Sequence, residues 1–348
     1  MSLDARLQRL WYGPAWRSLP WWPLEWLFRA VVAVRGWLYR SGLRAMQSAP
    51  VPVIVVGNLT VGGTGKTPVA AWLAQQLTLR GRRVGVVLRG YGGSHRGAPR
   101  VVGMDDDPEV VGDEALLHAH RRPHVVVIGA DRVAAATLAA RQGAEVVVCD
   151  DGLQHQRLGR DVEIAVVDAA RGLGNGHLLP AGPLREPPGR IETVDAVVLT
   201  ERIAGQASGC PLRPRQPLVA VARLRLGDAV NLVTAERRAL ASFAGQRAFA
   251  VAAIGHPEAF FAALREAGID LTEHPLPDHA AIDATTLPVG AGATVLMTEK
   301  DAVKCRSHAQ PGWWWIELAV DVERETAGQL LTVILERIGQ TGAGVRLG

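Results

Sequence analysis

Residues 51–77, VPVIVVGNLTVGGTGKTPVAAWLAQQL, constrain the fold more than any other stretch. The run VPVIVVG (51–57) reads as a strand buried on both faces, and TPVAAWLAQQLTLRG (67–81) as a helix closed by Gly81. Between them lies TVGGTGKTP. A phosphate-binding loop needs a strand, a turn whose backbone N–H groups point inward, and a helix N-terminus whose dipole favours an anion. All three are present in order. Gly65, Lys66 and Thr67 fill the last three positions of G-x-x-x-x-G-K-[ST], while Thr60 stands where the first glycine is expected. The loop Thr60, Val61, Gly62, Gly63, Thr64, Gly65, Lys66, Thr67 is therefore expected to cradle a nucleotide. Lys66 would reach the β- and γ-phosphates, and the Thr67 hydroxyl would ligate Mg²⁺.

The rest of the chain repeats the strand–helix alternation. Strands are expected at 83–90, 124–130, 145–150, 163–169 and 195–201, and helices at 112–122 and 131–143. Val- and Ile-rich strands separated by helices imply an α/β fold, a P-loop NTPase core whose mostly parallel sheet is covered by helices. A Pro- and Gly-rich segment (171–190) reads as a long surface loop, the kind that is often functional. Residues 203–217 look like a linker, and a second alternating block follows, ending in a helix over about 325–338. The expected organisation is an N-terminal segment (1–45), a P-loop domain (46–205), a linker (206–217) and a smaller C-terminal α/β domain (218–348).

The first fifty residues hold Arg6, Arg9, Arg17, Arg29, Arg35, Arg40 and Arg44 against only Asp4 and Glu25. Six of the ten tryptophans precede residue 40: Trp11, Trp16, Trp21, Trp22, Trp26 and Trp37. At about 100° per residue, Leu27, Ala30, Val31, Val34 and Leu38 form one stripe, with Glu25, Arg29 and Arg40 opposite. The apolar runs are too short to span a bilayer, which takes roughly 20 apolar residues. Tryptophan with arginine favours the headgroup layer, so the segment reads as an amphipathic helix on an anionic membrane surface. The competing reading is an ordinary amphipathic helix packed on the protein body. The net charge of +4 points to no partner, and nucleic acid is not expected. Cys149, Cys210 and Cys305 have neither metal-ligand nor disulfide spacing and suit a reducing compartment.

A second acidic element belongs beside a phosphate loop. EVVVCDDGLQH supplies Asp150 and Asp151 at a strand end, where one carboxylate can hold Mg²⁺ and the other can orient a ligand; a turn cap before Gly152 is the alternative. Proton acceptors for a nucleophile are Asp113 and Glu114, which also suit a helix N-terminus, and His279, which also suits a surface loop. Arg89 and Tyr91 lie at a strand's C-terminal end, the edge where ligands bind in open α/β sheets. Arg132 and Arg185 are candidates for a substrate phosphate. For TEKDAVK (298–304), the capping-box-like spacing of Thr298 and Asp301 makes a helix start a sufficient explanation, and a ligand role for Lys300 or Asp301 is the alternative.

Together the motifs VPVIVVGNLTVGGTGKTPV, LRGYGG, GDEALL, DDGLQHQRLGRDVEI, GNGHLLPAGPLRE, AIGHPEAFF, LPDHA and MTEKDAVKC, from about residue 50 to 305, resemble the tetraacyldisaccharide 4'-kinases, the lipid A 4'-kinases of Gram-negative bacteria. The Trp-rich N-terminus also looks like that family's membrane-associating segment. Leu88 stands where many relatives would have serine. The resemblance implies transfer of the ATP γ-phosphate, with Mg²⁺, to the 4'-hydroxyl of an acylated glucosamine disaccharide 1-phosphate, giving lipid IVA. The expected place is the cytoplasmic face of the bacterial inner membrane, with a peripheral or monotopic attachment. It implies Lys66 and Thr67 at the phosphates and metal, Asp150 and Glu114 at the metal, and Asp113 as the base supported by His279. Asp151, Gln154 and His155 would surround the same site, and Arg89, Tyr91 and Arg185 would bind the substrate head. It also implies that the two domains close to complete the site. The rivals are another membrane-associated P-loop ATPase or GTPase and a non-enzymatic nucleotide-gated protein; for a GTPase, TEKD lacks the Asn of a guanine-reading Asn-Lys-x-Asp.

Overall fold

The structure, a computed structural model, describes residues 3–344 apart from 213, 216, 255, 256, 278, 279, 281, 283–286, 288, 289 and 291. Helices α1 (Leu3–Trp11) and α2 (Trp22–Arg40) come first. Then follow β1 (Val53–Gly57), α3 (Lys66–Thr78), β2 (Val84–Leu88), β3 (Arg100–Val101), α4 (Pro108–Val111), α5 (Asp113–His120), β4 (Val125–Ile128) and α6 (Arg132–Arg141). The middle of the chain forms β5 (Val146–Asp150), β6 (Val162–Asp168), β7 (Ala196–Glu201), α7 (Gln206–Gly209) and β8 (Leu218–Asn231). The remainder forms β9 (Arg237–Arg238), β10 (Arg247–Ala252), α8 (Pro257–Glu266), β11 (Asp270–Pro275), β12 (Val295–Thr298), α9 (Glu299–Cys305), β13 (Trp313–Val322) and α10 (Arg324–Gly344).

One sheet runs in the order β11-β10-β12-β13-β8-β7-β6-β1-β5-β2-β4-β3, with β9 beside β8. Its pairings are parallel except β13–β8, β8–β9 and β3–β4. The strands near the phosphate loop are buried on both faces, as their unbroken apolar runs require. On β1, Ile54 and Val56 join the core formed with Leu73 and Leu77 of α3, while Val53 and Val55 face Ala135 and Ala139 of α6.

The stretch 206–217, expected as a linker, carries α7 and joins β7 to its parallel neighbour β8, so the sheet continues across it. The first residues of β8 pair with β7 (Leu199↔Val221), and its later residues pair with β13 (Val230↔Trp315). This strand stitches the phosphate-loop half of the sheet to the C-terminal half. Helix α10 returns to the first half: Leu330, Leu331, Ile334 and Ile338 share a core with Ile54 and Val198, and Arg337 pairs with Asp195 at 3.0 Å.

Among the described residues, no helix is long and apolar enough to cross a membrane. Helix α2 docks through Glu25, Gly36 and the ring of Phe28. Glu25 is buried; its carboxylate accepts from Leu178 N–H (3.1 Å), pairs with Arg29 (2.7 Å) and meets His177 Nδ1 (2.7 Å). Although burial works against ionisation, these partners hold the Glu25 carboxyl below its usual range. The apolar stripe points away from the body: exposure runs from 55 % at Trp37 through Val34, Val31 and Leu27 to 68 % at Trp26. Packing of that stripe on the protein is therefore not what holds the helix.

Candidate active site

The C-terminal ends of β6, β1, β5 and β2 lie side by side, and their following loops form one edge. After β1 the chain first pairs with the PAGPLRE segment: Thr60 bridges Leu184, Val61 N–H donates to Pro183 (2.8 Å), and Arg185 N–H donates to Leu59 (2.7 Å). Thr60 is buried in that pairing. The turn from Gly62 to Gly65 follows, and α3 begins at Lys66. Gly65 adopts φ +82°, and a Cβ there would meet Leu224 Cδ1 at 2.8 Å, so both the backbone and the space require glycine. The Thr200 hydroxyl donates to Thr64 O (2.7 Å) and Asn58 Nδ2 to Gly62 O (3.2 Å), which fixes the turn's shape before any ligand enters.

Asp150 ends β5 one strand away, in register with Val56. Its side chain is 2 % exposed, and Oδ2 meets Nε2 of His118, itself 1 % exposed, at 3.0 Å. Thr67 and Lys66, at the start of α3, both favour the charged form of this carboxylate. Burial alone would raise the Asp150 pKa; the His118 bond and charge, the Lys66 ammonium and Thr67 outweigh it and hold the group ionised. Glu114 is pushed the other way, first by burial and then by the charge of Asp150, with Lys66 and His118 opposing. Asp150 Oδ1 and Thr64 Oγ1 are buried without a hydrogen-bond partner. Such atoms are expected where a ligand completes the site. A carboxylate oxygen beside a threonine hydroxyl suits Mg²⁺, which takes one or two carboxylates and leaves its other positions to phosphates and water. Among the described residues no three His, Cys, Asp or Glu side chains gather into a fuller metal cage.

The DDGLQH turn forms the next wall. Asp151 (φ +55°) begins it, and Arg185 Nη1 lies 3.5 Å from both Asp151 Oδ1 and Gln154 Oε1. Gln154 Nε2 donates to Asn58 O and to Glu186 Oε1, each at 3.0 Å, and Arg35 of α2 donates to Gln154 O at 2.7 Å. Burial, with Arg132, Arg89, Arg35 and Arg160 nearby, pushes the His155 pKa down to about 4, so its ring is neutral at neutral pH in a positive field. Arg89 and Tyr91 are exposed at the end of β2. Arg132 is buried, with Nη1 on Gly129 O at 2.5 Å; its place is beneath the turn rather than on the surface. Asp113 opens α5, and Lys304 of α9 lies 3.5 Å from its Oδ2. His279 lies outside the described residues.

A family profile described as tetraacyldisaccharide-1-P 4'-kinase matches residues 17–337. The chain belongs to that family. A tetraacyldisaccharide 4'-kinase from Pseudomonas paraeruginosa is 46 % identical over 325 residues, which cover 92 % of this chain and 94 % of that protein. Another from Nitrosococcus oceani is 43 % identical over 313 residues, covering 90 % and 89 %. The crystal structure of LpxK from Aquifex aeolicus in complex with ATP matches with a TM-score of 0.80 at 29 % identity, covering 92 % of this chain and 99 % of that one. A tetraacyldisaccharide 4'-kinase is an ATP-dependent phosphotransferase of lipid A biosynthesis, and the ATPase and nucleotide-gated alternatives are not favoured.

Two residues near this 4'-kinase site take no role from the sequence motifs, although Lys304 closes TEKDAVK. His118 sits four residues after Glu114, on the same face of α5, and that spacing was the available signal. Lys304 reaches Asp113 from a helix some two hundred residues downstream, and no local pattern announces that.

Proposed function

We infer that this kinase joins the γ-phosphate of ATP to the 4'-hydroxyl of a tetraacyldisaccharide 1-phosphate at a membrane surface, with Asp113 as the base. The observation that carries the reading is the pairing of a phosphate loop with Asp150, whose Oδ1 is buried without a partner and whose charge is favoured by Lys66 and Thr67. Lys66 and the amides at the start of α3 hold the phosphates by charge and dipole. Thr67, Asp150 and Glu114 would hold Mg²⁺; when bound, that ion neutralises charge on the phosphate oxygens. Asp113 accepts the proton of the attacking hydroxyl as that oxygen bonds to the γ-phosphorus and the bond from phosphorus to the β,γ-bridging oxygen breaks, releasing ADP; His279 supports the basicity of Asp113. Arg89, Tyr91, Arg185, Gln154 and His155 orient the disaccharide head, with Arg132 strengthening the field around His155.

The outward stripe of α2 supports attachment to the membrane plane, and the reading places it on the cytoplasmic face of the inner membrane. Arg35, on the same helix, touches the DDGLQH turn, so a seated helix brings the acceptor's layer and the site wall together. Closure of the C-terminal half over the nucleotide would exclude water and limit wasteful hydrolysis.

The metal role is tested through His118. Groups that orient a metal-binding side chain typically contribute about 10–100-fold to metal affinity. His118→Leu removes the partner of Asp150 Oδ2, so the Mg²⁺ concentration for half-maximal transfer rises by that factor and the ATP-bound protein loses Mn²⁺ affinity in parallel. An unchanged Mg²⁺ requirement, or wild-type transfer that continues in excess chelator, would contradict the assignment.

A further inference from the structure

The TEKDAVK motif has a helix start as its sequence-level explanation, and the structure contains that start: Thr298 caps α9 and accepts from Asp301 N–H at 3.2 Å. A cap does not account for the rest. Asp301 is wholly buried, and its Oδ2 is taken by the Thr298 hydroxyl (2.6 Å) and by Ala253 N–H (3.1 Å). Its Oδ1 faces the Lys304 ammonium at 3.5 Å. Lys304, with a side chain only 10 % exposed, has two further acceptors: Ala280 O at 3.3 Å and Asp113 Oδ2 at 3.5 Å. An ammonium has three donors, and here three acceptors from three separate segments surround it.

Those three segments are the ones the proposed chemistry must align. Asp113 opens α5 in the phosphate-loop half. Asp301 belongs to α9 in the other half, and Ala280 directly follows His279 in the chain. Glu299 secures the far end of the same helix pair, with bonds to Arg121 Nε (3.1 Å) and Nη2 (2.6 Å). A carboxylate at a helix start is otherwise drawn back to the free amides of the first turn. A charge held across the seam keeps it outward, where a base must be within hydrogen-bond reach of its proton.

We propose that Lys304 is a positioning residue for phosphoryl transfer: its ammonium, aimed by Asp301, holds Asp113 across the seam in register with the segment that follows His279. The proposal rests on Asp113 being the base. It assigns each of four letters of the motif. Thr298 and Ala253 aim Asp301, Asp301 aims Lys304, Lys304 holds the base, and Glu299 clamps the helix that carries them.

Five variants of the full chain test it: Lys304→Met, Lys304→Arg, Glu299→Gln, Asp113→Asn and the Lys304→Met/Asp113→Asn double variant. Each is measured for kcat, for KM of ATP and lipid, and for thermal midpoint. Misplacing a reacting group by about 1 Å costs on the order of 10²-fold, so Lys304→Met lowers kcat by about 10–100-fold with KM for ATP unchanged. Lys304→Arg, which keeps the charge, recovers part of the loss. Glu299→Gln breaks the other contact between the same helices; it lowers the thermal midpoint and lowers kcat far less than Lys304→Met does, because the Lys304 contact to Asp113 remains. In the Asp113→Asn background, Lys304→Met changes kcat by less than about twofold, because the two residues act as one unit. The proposal is overturned if Lys304→Met keeps a normal kcat, if its effect persists undiminished without Asp113, or if Glu299→Gln lowers kcat equally. A fully active Asp113→Asn overturns the base reading itself, which separates the two failures. Should Lys304→Met not fold, Lys304→Gln is read by the same criteria.

Discussion

Asp113→Asn lowers kcat for lipid phosphorylation by about 10²–10⁴-fold, the usual contribution of a general base, while ATP binding stays within about twofold of wild type. Asparagine keeps the shape at the start of α5 and can still accept from Lys304 through its amide oxygen, so the fold is expected to persist. What it cannot do is take the proton of the sugar hydroxyl. The nucleotide contacts expected of Lys66 and Thr67 lie on another helix, α3. Nucleotide affinity and chemistry should therefore separate cleanly in this variant. Near-normal turnover, or a loss of ATP binding as large as the loss of rate, would remove Asp113 from the role.

The second large effect concerns attachment to the membrane. Trp26, Val31, Val34 and Trp37 project from α2 into solvent, while Glu25 and Gly36 face the protein. Replacing those four side chains with serine touches no buried contact, so the thermal midpoint should hold. Each side chain, about half buried in a headgroup layer, contributes on the order of 1 kcal/mol at about 25 cal/mol/Å² of apolar area. Losing all four weakens partition onto anionic vesicles by about 4 kcal/mol, roughly 10³-fold. Vesicle flotation measures this. Unchanged flotation of the four-serine variant would contradict the membrane-surface reading. A fall in thermal midpoint of several degrees would mean that the stripe packs on the body after all.

Much of the molecule could be read from local pattern because its strongest signals are local. The phosphate loop, the apolar runs of β1, β2, β4 and β5, and helices α3, α5 and α6 each carry their own local punctuation, and they appear within a few residues of expectation. Features set by distant partners were less legible. Strand β8, LVAVARLRLGDAVN, pairs with β7 along one part and with β13 along another. Nothing in the run itself encodes such a change of neighbour. Strand β11, DLTEHP, is mostly exposed at the sheet edge, so it lacks the apolar content that marks a strand. Helix α10 was visible as a helix, but its return to the first half depends on which core has room for Leu330 and Ile334.

The site divides along the same line. Lys66, Thr67 and Asp150 announce themselves because loop and strand end have a fixed spacing to a neighbouring strand. Thr60, the odd letter of the loop, is used in pairing with Leu184, and that contact is what brings Arg185 and Gln154 together. His118 and Lys304 gain no role from pattern alone, because a histidine or lysine in a helix is usually a packed or solvated residue. Only their burial against Asp150 and Asp113 distinguishes them.

The central claim is phosphoryl transfer to a lipid-borne hydroxyl, and label transfer tests it most directly. The full-length protein is incubated with γ-labelled ATP, Mg²⁺ and tetraacyldisaccharide 1-phosphate in anionic vesicles, and the lipid fraction is separated. The account predicts that the label appears in a bisphosphorylated lipid carrying its new phosphate at the 4'-position. Hydrolysis of ATP to labelled inorganic phosphate, with no labelled lipid, would contradict it.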